Sequence, residues 1–386
     1  MYLLRLLKKA FAGIDKKKTM KIGILTLPFN NNYGGYLQAF ALLTVLKQQG
    51  HDVEIIYRRP RRRPFIWIVK TTFKNIVKVL LGRKVWCIIP DQEKELRAKG
   101  AKMMPFVDKY VSPRSKPLYS SKALAKYASN RYDAIVVGSD QVWRPDYVSK
   151  IEDFFLVWMD NNTLKLSYAA SFGTNDPKYS DEKKKTCGDA LQYFKAVSVR
   201  EKDAVEVIEK LGWDLKCKPQ QVLDPTMLLE KEVYKQHICK VKISNRRKVF
   251  CYVLDQSSFV HDIISETCNT IGCEAYQLGV KCDGNFVSIE EWLRAINEAE
   301  VVITDSYHGT VFSIILNKPF IVCMNAERGL SRFVSLLSIF KLNHRIVKSK
   351  EDVRVLLNEN IDWERINCIL AEERVKSTAF LKENLQ

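Results

Sequence analysis

The sequence lacks any run of the roughly 18 uncharged apolar residues that a membrane-crossing helix needs. Its N-terminus also lacks the order of basic, long apolar and small residues that marks a signal peptide. These two absences predict a cytoplasmic protein. No CxxC pair occurs: the ten cysteines are scattered singly between Cys87 and Cys368. That spacing argues against a zinc or disulfide framework and predicts free thiols in a reducing compartment. A GxGxxG fingerprint is missing, so a dinucleotide reading is poor. There is no low-complexity linker and no short-period repeat. Histidine is scarce, five in 386 residues, so few side chains can exchange protons near neutral pH. His51, His237, His261 and His344 sit in polar settings and read as surface residues. His308 does not.

What is present points to a globular chain long enough for two domains and two cores. Apolar residues make up 46% and charged residues 27%, and the net charge is +18. The charge is local. Residues 1–19 hold six basic side chains and one acid, and residues 58–86 hold ten basic side chains and no acid. Subtracting +5 and +10 leaves the remainder at +3, so the basicity serves two segments rather than the whole fold.

Both segments are amphipathic at helical spacing. Leu3, Leu6, Leu7, Ala10 and Phe11 share one face of the first, with Arg5, Lys8 and Lys9 pointing away. In the second, Ile66, Val69, Phe73, Ile76, Val77 and Leu80 form the apolar stripe. Lys70, Lys74 and Lys78 flank it, after a run of Arg58, Arg59, Arg61, Arg62 and Arg63. An apolar face flanked by basic stems suits an anionic membrane surface, which is the expectation here. The plainer reading is two ordinary surface helices. Nucleic acid is disfavoured, because no zinc-finger, RRM or KH pattern accompanies the charge.

Along the chain, Lys21–Leu27 reads as a parallel strand, Asn30–Gly35 as a polar turn, Tyr36–Gln49 as a helix and Val53–Tyr57 as a second strand. That βαβ opening predicts a Rossmann-like half. Further strands are expected at 134–137, 165–170 and 196–199, and Asp224-Pro225 closes the half. A second α/β half restarts near Lys248 and a terminal helix spans Trp363–Asn384. The expected organisation is a basic extension at 1–19, a first domain at 20–225 with the insertion 58–86, a second domain at 226–350, and C-terminal helices at 351–386. Two α/β halves facing each other leave a cleft between them.

The chemistry-bearing residues sit at strand ends. Val301-Val302-Ile303 reads as a buried strand, followed by Thr304-Asp305-Ser306-Tyr307-His308-Gly309 at the start of a helix that Asn317-Lys318-Pro319 ends. His308 therefore lies where open α/β sheets bind ligands and helix amides favour anions. The alternative is a histidine bonded structurally to a backbone group. Asp305 reads as the cap of that helix. Arg200 follows the strand 196–199 and points to the same edge, unless it merely pairs with Glu201. Asp140 follows Gly138-Ser139 at another strand end, where it either orients a hydroxyl or caps a turn. Trp143 either stacks on a sugar or packs in the core.

Six segments, in order, carry a resemblance. They are Asn32-Tyr33-Gly34-Gly35, the stretch Tyr132–Trp143, the stretch Ser167–Gly173, Ser198-Val199-Arg200-Glu201-Lys202, Leu223-Asp224-Pro225-Thr226, and the Asp305–Gly309 turn with Pro319-Phe320. From about Met20 to about Val347 the chain resembles the polysaccharide pyruvyl transferases. The resemblance implies an α/β fold of two Rossmann-like domains facing across a cleft, as in GT-B glycosyltransferases. It implies transfer of pyruvate from phosphoenolpyruvate, as co-substrate, to two hydroxyls of a sugar as a cyclic ketal, with no metal or further cofactor. One position departs: where many members carry an arginine two residues before the histidine, this chain has Ser306.

On this reading His308 is the general acid/base. The donor site draws on Arg200 and Ser306, with Lys318 and Arg332 as replacements for the missing arginine and Arg328 behind them. Asn32, Gly34, Gly35, Asp140 and Trp143 are assigned to the acceptor side. The basic segments suit an acceptor on undecaprenyl diphosphate at the inner face of the plasma membrane, and galactose with free 4- and 6-hydroxyls is the analogue. Two rivals stay open: a nucleotide-sugar glycosyltransferase on the same architecture, and a non-catalytic scaffold at the membrane surface.

Overall fold

The computed structural model describes residues 19–60, 62–85, 87–238, 249–255, 257–278, 286–324 and 330–386. The expected N-terminal amphipathic segment, apart from Thr19, lies outside them, as do Arg61 and Arg328. The chain opens with strand β1 (Lys21–Leu25), helix α1 (Tyr33–Gln48), strand β2 (Asp52–Ile56) and helix α2 (Phe65–Leu80). Helices α3 (Gln92–Lys99), α4 (Met104–Tyr110) and α5 (Ser121–Ala128) lead to strands β3 (Ala134–Val137) and β4 (Leu164–Ala170). Then come α6 (Asp181–Leu191), β5 (Ala196–Val199), α7 (Asp203–Lys210) and the short β6 (Gln220–Gln221). After α8 (Lys231–Ile238), the second sheet is built from β7 (Val249–Tyr252), β8 (Ala275–Leu278), β9 (Val301–Thr304) and β10 (Phe320–Val322). Between these strands lie α9 (Ser258–Ile271), α10 (Ile289–Glu298) and α11 (Tyr307–Ile315). Helices α12 (Leu330–Phe340), α13 (Glu351–Asn358) and α14 (Trp363–Asn384) complete the chain.

All described strand pairs are parallel. The first sheet runs β2-β1-β3-β4-β5-β6 and the second β10-β9-β7-β8. Parallel sheets covered on both faces need strands that are apolar at successive positions. Ala134, Ile135, Val136 and Val137 meet this requirement and are fully buried. The architecture is two Rossmann-like α/β domains.

Helix α1 joins the domains. It begins three residues before the expected Tyr36, because Asn32 acts as its N-cap and accepts from the Gly34 amide at 3.0 Å. The glycines fall in its first turn. Tyr33 reaches into the second domain and stacks on Trp292, with ring centroids 5.2 Å apart. Its hydroxyl donates to the Val287 carbonyl and accepts from the Val287 amide. One apolar core accordingly contains Leu37 and Leu42 of the first domain together with Trp292 and Phe312 of the second. Helix α14 returns to the first domain. Ser377 accepts from the Leu223 amide, and Arg374 donates to the carbonyls of Met227 and Leu229.

The basic run before α2 is largely absorbed by the fold, which corrects its reading as a membrane-facing cluster. Arg58 pairs with buried Asp153 at 2.7 Å, Arg59 with Glu93 at 2.8 Å and Arg63 with Glu95 at 2.7 Å. Arg62 lies over the Tyr119 ring. No helix among the described residues is long and apolar enough to cross a membrane.

Candidate active site between the two domains

The carboxyl ends of β1, β3, β5, β7 and β9 converge on a cavity of about 530 Å³. Its wall includes Asn30, Asn31, Asn32, Asp140 and Arg200 from the first domain. Asp305, Ser306, Tyr307, His308 and Arg332 come from the second. Ligands bind such crevices in open α/β sheets, outside the carboxyl ends of the strands.

His308 occupies the first turn of α11. Ser306 is the N-cap, accepting from the Gly309 amide at 3.4 Å. Thr304 accepts from the Ser306 amide and donates to the Tyr252 carbonyl, which fixes the turn against β7. Asp305 is therefore not the cap. Its carboxylate accepts from the amides of Leu254 and Asp255, each at 2.7 Å, and holds the loop after β7. Burial pushes its pKa up to about 6, against the lowering effect of those two amides.

The centre of the site is a carboxylate that local sequence patterns do not reveal. Asp224 is fully buried. One oxygen, Oδ2, lies 3.1 Å from Arg200 Nη1, accepts from Ser139 Oγ at 3.1 Å, and is 3.6 Å from His308 Nε2. The last distance is too long for a hydrogen bond. The other oxygen accepts from the amide and hydroxyl of Thr226. Burial alone would raise this carboxyl. His308 foremost, then Arg200 and Thr226, overcome burial and hold it far below the usual carboxylate range. The only signal in the sequence is Leu223-Asp224-Pro225-Thr226 at the end of the first sheet.

Arg200 is buried and lies against Glu201 at 3.2 Å as well as Asp224. Glu201 in turn accepts from Ser171 Oγ at 2.6 Å. The guanidinium carbon sits 4.3 Å from the Tyr307 ring centroid. Burial lowers the Arg200 pKa, but Glu201, Tyr307 and Asp224 outweigh it and raise it. Even so, Arg200 Nη2 has no hydrogen-bond partner among the described residues. Arg332 makes no hydrogen bond or ion pair among them, and its buried Nε is unpartnered. Burial first, then the neighbouring Arg200, push its pKa down. Two cations thus face one cavity with donor capacity to spare, and His308 Nε2 is also without a hydrogen-bond partner. An anion with several oxygens would offer acceptors to the two guanidinium groups.

Gly34 explains how the histidine is seated. A Cβ built there would lie 1.9 Å from His308 Nδ1 and 2.3 Å from Cγ. The imidazole of the second domain therefore rests on bare backbone of the first. At Gly35 the nearest atoms to such a Cβ are 3.7 Å away, an ordinary contact. Asn32 lines the cavity and caps α1. Asp140 lines it too, at the strained φ of +82°, with one oxygen accepting from the Gln141 amide.

Two expected residues fall elsewhere. Trp143 is fully buried, stacked on Phe155 and bonded to the Phe154 carbonyl, so it is core and not a sugar platform. Lys318 lies beyond the opposite end of α11 from His308 and does not line the cavity. Arg144 and Tyr147, which the sequence did not single out, do line it, with the Arg144 guanidinium over the Tyr147 ring.

Residues 32–327 match the family model described as "Polysaccharide pyruvyl transferase". No curated protein matches the chain. Among solved structures, the UDP-GlcNAc 2-epimerase of Neisseria meningitidis bound to UDP-GlcNAc is similar at a TM-score of 0.52 and 10% identity, over 95% of this chain and 99% of that one. A UDP-glucosyltransferase from Polygonum tinctorium gives a TM-score of 0.49 and 11% identity, over 96% and 98%. The UDP-GlcNAc 2-epimerase of Methanocaldococcus jannaschii gives 0.47 and 14%, over 92% and 100%. At such identities the likeness to the first speaks for the GT-B-like fold alone.

Proposed function

This chain belongs to the polysaccharide pyruvyl transferase family, and we propose that it transfers the pyruvyl group of phosphoenolpyruvate to two hydroxyls of one sugar. The observation that carries the reading is the convergence of Arg200, Arg332, His308 and the α11 N-terminus on one cavity with unsatisfied donors. Phosphoenolpyruvate carries a phosphate and a carboxylate, and it needs cations or helix amides for both. Arg332 is the cation we assign to the role of the arginine absent at Ser306.

In the proposed sequence a proton goes to C3 of the donor and C2 becomes electrophilic. The first sugar hydroxyl adds to C2, and the second displaces phosphate. Two hydroxyl protons are released: one balances the proton added to C3, and the other leaves on the phosphate. His308 is the group we assign to proton exchange, with the Asp224 carboxylate 3.6 Å from its Nε2. Asp140, on the Asn30–Asn32 side of the cavity, is the residue we assign to orienting an acceptor hydroxyl. The acceptor we propose is a terminal sugar of a lipid-linked oligosaccharide or polysaccharide, with galactose at its 4- and 6-hydroxyls the first to try.

The test is incubation with phosphoenolpyruvate and a panel of lipid-linked galactosides, read by mass spectrometry for a ketal gained and by phosphate released. Nucleotide sugars belong in the same panel. Consumption of one of them, with phosphoenolpyruvate untouched, would replace this reading with a glycosyltransferase.

A further inference from the structure

Helix α2 has its polarity inverted. A surface helix ordinarily buries its apolar stripe and exposes its charges. None of the residues of α2 is buried. Phe65 is 78% exposed, Phe73 69% and Leu80 79%, and Ile66, Val69, Ile76 and Val77 are exposed with them. The face turned to the protein is instead mostly polar, with Ile68 the one half-buried apolar side chain in it. Trp67, Thr71, Asn75 and Lys78 line a groove against α3, and Asn75 donates to the carbonyls of Cys87 and Ile88. That hydrogen bonding brings the exposed Ile88 and Ile89 alongside the helix, and Leu81 extends the patch at its end. So large an apolar surface marks a place where something binds.

The charges identify what binds. With Arg58 and Arg59 paired inside the fold and Arg63 in a half-exposed pair with Glu95, the remaining cations of the segment include Lys70, Lys74, Lys78, Arg83 and Lys84. None of these five has an ion pair among the described residues. No acidic residue occurs between Arg58 and Pro90 to neutralise them. A second copy of this chain would bring the same cationic face, and residues 1–18 carry a net +5. Both are repelled. An anionic lipid surface attracts the lysines and takes up the apolar face.

We infer that α2 is a docking helix that lies in the headgroup layer of an anionic bilayer, with its apolar stripe inserted and the exposed Lys70 and Lys74 on lipid phosphates. The helix is tied to the catalytic cavity. Arg63 holds its start to Glu95 of α3, and Gly100, just after α3, packs against Asn31 so closely that a Cβ would lie 2.4 Å from Oδ1. Asn31 is on the cavity rim. Bilayer and cavity are thereby held in fixed relation, which suits a lipid-carried acceptor. That last consequence rests on the proposed function, whereas docking itself does not.

The experiment is co-sedimentation of the full chain with phosphatidylcholine vesicles, with and without phosphatidylglycerol. Binding is expected only with phosphatidylglycerol. Lys70→Gln and Lys74→Gln together should weaken it by roughly 25-fold, at about fivefold per lysine. Phe73→Asp should abolish it, and because Phe73 is exposed the fold should stay intact in a urea titration. Binding that survives both variants but is lost in Leu3→Asp/Leu7→Asp would assign it to the N-terminal segment and overturn the inference. Equal binding to neutral vesicles, or a dimer dissolved by Phe73→Asp in the absence of vesicle binding, would overturn it too. Because vesicle binding is read without turnover, its failure leaves the chemistry of the cavity standing.

Discussion

Replacing Gly34 by alanine should be costly for a reason that no local pattern in the sequence gives. The added Cβ would sit 1.9 Å from His308 Nδ1, whereas ordinary contacts begin near 3.4 Å, so ring and backbone must separate by about 1.5 Å. Alanine is the better helix former, which favours the variant by up to ~1 kcal/mol in the first turn of α1. Overpacking of this kind costs about 1–3 kcal/mol. The clash wins, because Tyr33 next door is locked between Trp292 and Val287 and α1 cannot back away. A displacement of ~1 Å at a reacting group costs about a hundredfold in rate. Gly34→Ala should therefore lose about 1–2 kcal/mol in urea unfolding and at least a hundredfold in phosphate release from phosphoenolpyruvate. Gly35→Ala is the internal control, since its Cβ has ordinary room. A Gly34→Ala protein as active as wild type, with stability raised by the helix propensity, would refute the packing of His308 on Gly34.

Asp224→Asn should cost about 3–5 kcal/mol at neutral pH, because it breaks the fully buried pair with Arg200 and leaves that guanidinium with Glu201 alone. The folded carboxyl is depressed, so its stabilisation is present above the unfolded value near ~4 and is lost as pH falls below it. The gap between wild type and variant in urea melts should therefore close in acid. Arg332→Ala should raise KM for phosphoenolpyruvate by roughly 10- to 100-fold while leaving stability unchanged or higher, since no protein acceptor is lost; equal KM values would remove it from the donor site. Asp305 titrates near 6 in the fold, above its unfolded value. Wild type should therefore gain stability relative to Asp305→Asn as pH falls from about 6 to about 4, by up to ~3 kcal/mol, and a flat difference across that window would contradict the burial of its charge.

Much of the scaffold was legible because its signals are local. Strands β3, β5 and β9 fall on the expected residues, since a parallel strand covered on both faces is written as a continuous apolar run. His308 and Arg200 were visible as chemistry placed at strand ends, and both line the cavity. The pairings that give them meaning were not visible. Asp224 meets Arg200 across 24 residues and His308 across 84, counted as 308 − 224, and the second pairing crosses from one domain to the other. Trp143 was ambiguous because an aromatic three residues past Asp140, in the loop after β3, suits a sugar or a core equally well, and only the stack on Phe155 decides. The arginines before α2 looked like part of a membrane-facing stripe because their carboxylates, Asp153, Glu93 and Glu95, lie far along the chain. The inverted face of α2 was legible as a stripe but not as inverted, since periodicity shows that a helix has two faces and not which one the protein covers.

The most direct test of the proposed chemistry is to follow phosphoenolpyruvate and a lipid-linked galactoside by mass spectrometry, with wild type and His308→Ala in parallel. The account predicts a pyruvyl ketal on the galactoside and an equal amount of phosphate from wild type, and neither from the variant. Ketal formed at the wild-type rate by His308→Ala, or phosphoenolpyruvate left intact while a nucleotide sugar is consumed, would contradict it.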